Sequence, residues 1–294
     1  MARLLFLIVL LGFIAQARAT SPQVLVKTFK TPFQGSVLYT PNNDGSFPGV
    51  MMFHGSEGGS QGSLLARANL LAASGFAVLV YCYFDCNRDL VGSRETLKSV
   101  KVETVFEAAK WLKEHKLVAG KKIAFYGFSR GAELTMILGA NANAFSSKPD
   151  ALIAHSPSDV VVGPFNWDWN DNRCWICLES KGCPNFSDYT WNNRCSDNPR
   201  TTNRDIGAWS LNGQNLKSNS RIEIEKYDGP ILLTHGRKDN VWPVEQTERI
   251  EETLRKAGRT PEVHYFPNAG HGFFGKDEMK RKQLVLDFLS KHLN

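Results

Sequence analysis

The residues of this chain best suited to bond-making chemistry are Ser129, Asp239 and His271. Ser129 sits in Gly127-Phe128-Ser129-Arg130-Gly131, between an apolar run and a stretch with helical character. A serine held on a sharp strand-to-helix turn takes a strained backbone conformation, and only glycine fits beside it. A serine hydroxyl is a weak nucleophile at neutral pH, so it needs a base, and the base needs an orienting acid. His271, in Asn268-Ala269-Gly270-His271-Gly272, supplies the base; Asp239, in Gly236-Arg237-Lys238-Asp239-Asn240, supplies the acid. Their order along the chain, serine then acid then histidine, suits loops that follow successive strands of one sheet.

Two backbone N–H groups complete the expected site. The helix after Ser129 points its first donors and its positive dipole end at any oxyanion formed there, which nominates Arg130. The second donor is expected in the glycine-rich stretch His54-Gly55-Ser56-Glu57-Gly58-Gly59, most directly from Ser56. Each such donor is worth about 3 kcal/mol of transition-state stabilisation. Asp159 is the alternative acid, and His54 is read as structural because it ends a strand beside this loop. Trp242, Trp167 and Trp169 are expected to contact substrate, although a cysteine-stapled insertion also needs aromatic packing of its own.

Those residues require a frame. Short strands are expected at residues 24–29 and 36–40, then buried strands at 48–53, 76–81, 122–126, 151–155, 230–235 and 262–266. Helices are expected from residue 64, over 95–115, after Ser129, over 244–257 and from 276 to 293. Alternating strands and helices argue an α/β fold with a mainly parallel, doubly wound sheet. Residues 163–219 break the pattern, with five of the seven tryptophans and four of the six cysteines, and read as a lid inserted in the catalytic domain.

Residues 1–19 have a positive end, an apolar run and Ala17-Arg18-Ala19, and so read as a signal peptide, with an uncleaved anchor as the alternative. The expectation is a catalytic domain over residues 20–294, secreted or periplasmic, with no stable membrane insertion after cleavage. Removing Arg3 and Arg18 with no acid lowers the formal charge by two, from +6 to +4. That balance, with no basic cluster interleaved with aromatics, points away from nucleic acid. The even cysteine count in an exported chain suggests disulfides, with 15 pairings open; the competing reading is a zinc site at Cys174, Cys177, Cys183 and Cys195, whose second pair lacks the tight ribbon spacing. No metal or organic cofactor is expected. Asn185-Phe186-Ser187 is a glycosylation sequon.

Gly58-Gly59, residues 64–79, Gly127-Phe128-Ser129-Arg130-Gly131-Ala132-Glu133-Leu134 and residues 224–233 resemble the catalytic domain of the acyl-CoA thioesterase and bile-acid-CoA:amino-acid N-acyltransferase family, akin to the dienelactone hydrolases. The resemblance runs from about residue 47 to the C-terminus, interrupted by the tryptophan-rich stretch. It implies an α/β-hydrolase fold, the triad Ser129, Asp239 and His271, and a small-molecule ester or thioester substrate. Three departures qualify it. The transferase members use cysteine where this chain has Ser129, which favours water as the acceptor. The family's N-terminal β-sandwich domain is not matched, and an exported chain rarely meets acyl-CoA. Hydrolysis is therefore expected first, acyl transfer second, and a non-catalytic binding protein on the same fold third.

Overall fold

A computed structural model describes residues 25–59, 62–86, 95–165 and 207–293, together with two short strands between residues 166 and 206. The N-terminal strands are β1 (Val26–Lys30) and β2 (Val37–Pro41), followed by β3 (Phe47–Phe53), α1 (Gly62–Ala73) and β4 (Ala77–Tyr81). Then come β5 (Val100–Lys101), α2 (Val102–Glu114), β6 (Val118–Phe128), α3 (Arg130–Asn141) and β7 (Ala151–His155). Strands β8 (Trp175–Cys177) and β9 (Tyr189–Trp191) pair antiparallel, and β10 (Trp209–Leu211) and β11 (Gln214–Asn215) follow. The chain closes with β12 (Ile231–Gly236), α4 (Val244–Lys256), β13 (Glu262–Phe266) and α5 (Gly275–Leu293).

Eight strands form one sheet in the order β1-β2-β4-β3-β6-β7-β12-β13. The first two pairings are antiparallel and the other five parallel. Successive side chains of a strand point to opposite faces, and the core divides accordingly. Met51, Phe53, Ile123 and Phe125 pack with Phe106, Leu134 and Leu138 on one face. Val50, Met52, Ala124 and Tyr126 pack with Leu64, Leu71, Phe288 and Leu289 on the other. Helices α2, α3 and α4 thus cover one face and α1 and α5 the other, the doubly wound arrangement expected from the alternating pattern.

Two elements differ from expectation. The helix expected over 95–115 starts only at Val102. The preceding backbone spends its hydrogen bonds on a distant segment instead: Leu97 and Phe165 exchange N–H···O bonds, Ser99 N–H reaches Gly207 O and Val100 N–H reaches Ala208 O. Lys101 to Ser210 and Val100 to Trp209 are then parallel partners in a small three-stranded sheet. Strand β6 begins at Val118, earlier than residue 122, with left-handed Gly120 and Lys121 and an irregular register against β3 between Phe47 and Gly49.

Residues 207–215 also carry more regular structure than the composition of 163–219 suggests. Trp209 is fully buried, and β10 pairs with both β11 and β5. Trp167, Trp169, Cys174, Cys183, Cys195 and the sequon lie outside the described residues, as do residues 1–19, where a signal peptide is expected. Cys82 and Cys86 form a disulfide. No helix among the described residues is long and apolar enough to cross a membrane.

Candidate active site

Ser129 is the one residue between β6 and α3. Its backbone lies at φ 52 and ψ −117, a conformation that costs a non-glycine residue about 1–3 kcal/mol. Both flanking glycines are sterically required. A Cβ on Gly127 would lie 1.9 Å from Gly131 O, and one on Gly131 would lie 2.5 Å from the carbonyl oxygens of Phe53 and His54. The turn is thereby packed against the end of β3, where the glycine-rich loop begins. A Cβ on Gly55 would sit 3.4 Å from Ser129 Cβ, which puts that loop beside the hydroxyl.

The acid and histidine loops are joined by backbone bonds before their side chains meet. Arg237 N–H donates to Phe266 O and Lys238 N–H to Ala269 O, both at 2.9 Å. Gly236 permits the approach, since a Cβ there would lie 2.3 Å from Ala269 O. Asp239 Oδ2 then accepts from His271 Nδ1 at 2.8 Å and from Ser156 Oγ at 3.0 Å, with His235 Nε2 at 3.2 Å. Oδ1 accepts the Val241 and Trp242 N–H groups at 2.9 Å. Burial by itself would raise the carboxyl pKa; the bonds from His235 and His271, the charge His271 can carry and the Trp242 N–H outweigh it and hold the group far below the usual carboxylate range. The Asp239 side chain is fully buried while His271 is 26% exposed. A stable anion therefore fixes Nδ1 of a histidine whose ring still reaches the surface.

Two residues of this cluster, His155 and Ser156, were not singled out in the sequence. Ser156 directly follows β7, with φ 51, and aims its hydroxyl at Asp239. His155 Nε2 donates to the carbonyl oxygen of His271 at 3.0 Å, and its Nδ1 accepts from Thr234 Oγ1 at 3.0 Å. Burial, with the nearby Arg281 charge, pushes the His155 pKa well below the ordinary imidazole value, consistent with that neutral tautomer. Their only sequence signal is position, at the end of a buried strand adjacent to the serine strand.

The glycine-rich loop is held from beneath. His54 stacks on Tyr83 with ring centroids 4.0 Å apart, and Tyr83 Oη donates to His54 O at 2.6 Å. Tyr83 N–H donates to His54 Nε2, so Nδ1 carries the proton and donates to Gly55 O at 2.9 Å. Burial lowers the His54 pKa to about 4, against the Gly55 bond. A neutral, structural histidine is what its strand-end position suggested. Glu57, also unremarked in the sequence, accepts the Gly55 N–H at 3.0 Å. The Cys82–Cys86 loop packs beneath Gly58 and Gly59, whose hypothetical Cβ atoms would overlap Asp85 and Cys82.

Asp159 is not brought to His271. It receives Arg249 Nε at 2.6 Å and Nη2 at 3.1 Å, a two-pronged ion pair with α4. Trp242, expected to contact substrate, is 5% exposed. It contributes backbone instead: its N–H caps Asp239 and its carbonyl accepts from His235 Nε2. The reason is the tight turn after Asp239, which folds the following residues back onto the acid. A cavity of about 380 Å³ lined by Asp228, Arg259, Lys291 and His292 lies where β12 and β13 begin, at the opposite end of the strands, and takes no part in this site. Among the described residues no group of three or more His, Cys, Asp or Glu side chains is arranged to hold a metal ion.

A mainly parallel eight-stranded sheet, a serine elbow after a central strand and an Asp–His pair on loops after the last two strands define an α/β-hydrolase fold. The chain belongs to the BAAT / Acyl-CoA thioester hydrolase C terminal family, whose model matches residues 100–273. It is 30% identical over 246 residues to mouse acyl-coenzyme A thioesterase 6, covering 80% of this chain and 51% of that protein. It is 28% identical over 249 residues to mouse peroxisomal succinyl-coenzyme A thioesterase, with the same coverage. The chain therefore spans about half the length of the curated relatives it matches. Among solved structures, one described as a dienelactone hydrolase from Klebsiella pneumoniae aligns with a TM-score of 0.56 at 17% identity, over 90% of this chain and 96% of that one. Esterase 2 of Thermogutta terrifontis aligns with a TM-score of 0.57 at 18% identity, over 87% and 90%.

Proposed function

We propose that this protein is a serine hydrolase that cleaves a carboxylic ester or thioester through an acyl-enzyme on Ser129. The observation that carries the reading is the strained serine at the head of α3, in the same sheet end as the 2.8 Å bond between Asp239 and His271. His271 takes the Ser129 proton as the hydroxyl attacks the acyl carbon, and Asp239 stabilises the resulting imidazolium. The N–H groups of Arg130 and Ser56 receive the oxyanion. His271 then protonates the departing alcohol or thiol. Water, activated by the same histidine, attacks the acyl-enzyme and releases the acid. No step calls for a cofactor.

Membership of a thioester-hydrolase family and the thioesterases among its relatives support an acyl substrate of this class. Serine rather than cysteine at position 129 supports water as the acceptor. The leader-like residues 1–19 and the Cys82–Cys86 disulfide support export of the chain, with residues 20–294 as the mature enzyme and the insertion as its lid. Mass spectrometry of secreted protein should find an N-terminus just after Ala19.

The enzyme reading is tested by fluorophosphonate labelling, together with turnover of short and long p-nitrophenyl esters and acyl-CoAs. An adduct on Ser129 and release of free acid are expected. Folded protein without an adduct would point to a binding protein instead. Conjugates formed with added amines or alcohols at the expense of free acid would point to acyl transfer.

A further inference from the structure

Glu133 is fully buried in the first turn of α3, four residues after the proposed nucleophile. Its Oε2 accepts from Arg130 Nη1 at 3.0 Å. Its Oε1 accepts from two groups far apart in the chain, the Val162 N–H and Trp209 Nε1, each at 2.7 Å. Arg130 is itself 2% exposed, and its Nη2 donates to Gly163 O at 2.7 Å. Val162 and Gly163 lead into the tryptophan-rich insertion, and Trp209 stands where it returns to the domain. One carboxylate therefore holds both ends of that insertion against the helix that begins at Ser129.

Trp209 also reaches the other half of the site. Its ring lies 5.4 Å from that of Tyr83, which stacks on His54 and donates to the His54 carbonyl at the root of the glycine-rich loop. The same indole thus touches the support of the Ser56 loop through its ring and the support of Arg130 through its N–H. Burial raises the Glu133 pKa, opposed first by the Arg130 charge. A buried carboxylate with three bonded donors is costly to leave incompletely paired.

We infer that Glu133 and Trp209 are positioning residues, which set the two oxyanion donors relative to one another and tie that setting to the ends of the insertion. The inference rests on the reading of Ser129 as nucleophile. The carboxylate holds the Arg130 side chain, and with it the backbone whose N–H faces the oxyanion; the indole holds the opposite wall. Displacements of about 1 Å at such a distance from the reacting atoms cost up to about a hundredfold in rate.

The test compares the unaltered protein with Trp209→Phe and Glu133→Gln, using p-nitrophenyl acetate as substrate and fluorophosphonate titration to count working sites. Trp209→Phe keeps an aromatic ring against Tyr83 but removes the N–H. Glu133→Gln sets an NH₂ group against the Arg130 guanidinium, donor against donor. The expected result is a kcat per titrated site about tenfold lower in Trp209→Phe and about a hundredfold lower in Glu133→Gln, with KM within about twofold. A lower melting temperature with unchanged kcat per titrated site would overturn the inference, since it would show support of the fold alone; so would a change confined to KM. If Glu133→Gln does not fold, Trp209→Phe decides. Failure of the unaltered protein to label at Ser129 would instead remove the hydrolase reading, and the positioning role with it.

Discussion

The backbone N–H of Ser129 donates to the carbonyl oxygen of His155 at 3.0 Å, and the His155 ring donates in turn to the carbonyl oxygen of His271, also at 3.0 Å. A single buried residue at the end of β7 thus links the serine turn to the histidine loop.

His155→Phe is expected to keep the edge-to-face contact with Phe273, now 4.5 Å between centroids, while leaving the His271 carbonyl without its donor. Loss of one such bond behind the proposed base should lower kcat by about tenfold. Steady-state kinetics on a p-nitrophenyl ester measure this, and an unchanged kcat would show that the loop holds His271 without help.

Replacing Ser129 separates chemistry from strain. Ser129→Ala should remove phosphonate labelling and reduce turnover by more than about a thousandfold. Ser129→Gly should do the same and also raise stability by about 1 kcal/mol, because glycine relieves the cost of φ 52. Urea unfolding of the three proteins gives the comparison; a glycine variant less stable than the alanine variant would contradict the strain assignment.

Asp239 and Asp159 should respond in opposite ways. Asp239→Asn leaves His271 Nδ1 facing an amide and should lower kcat by about 10⁴-fold. Asp159→Asn leaves the Arg249 guanidinium without its anion and should cost a few kcal/mol of stability. Its kcat per titrated site should not change. Kinetics and melting curves on both variants decide between the two aspartates.

Stability should fall on mild acidification. His54, lowered to about 4, and His155, also held well below the ordinary imidazole value by burial, both stay neutral in the folded state at pH values where the unfolded histidine, near 6.5, takes up a proton. The unfolded chain then binds more protons, so the histidine contribution is complete above about pH 6.5 and is lost as pH falls toward the folded values. For His54 the drop from 6.5 to about 4 is worth at most about 3–4 kcal/mol. Asp239, whose pKa is depressed, loses its contribution only below the unfolded carboxylate value near 4, outside this window. Urea titrations at pH 7.5, 6 and 5 should show the slope, and His54→Asn should flatten it; an equal slope in that variant would assign the effect elsewhere.

Much of the architecture can be read along the chain because its signals are local. Buried strands are continuous apolar runs, as in Val50-Met51-Met52-Phe53, and the elbow is recognisable because Gly127 and Gly131 must lack side chains. The order of Ser129, Asp239 and His271 follows from strand order, so the three can be nominated before any contact is known. By contrast, α2 starts later than its side chains suggest, because residues 97–101 are helix-compatible but give their hydrogen bonds to Phe165, Gly207 and Ala208. Trp242 turns inward although nothing local in the sequence says that an indole beside an acid should do so.

What the sequence by itself determined is the set of chemical groups and the strand-by-strand frame that carries them, since backbone sterics and hydrophobic periodicity act over a few residues. Only the tertiary structure decided how that frame joins distant residues. It placed Asp239 rather than Asp159 against His271, put His155 and Ser156 behind them, and closed Glu133 around Arg130, Val162 and Trp209. The physical reason is that a buried polar group must find its partners wherever folding brings them, and the separation of those partners along the chain leaves no periodic trace.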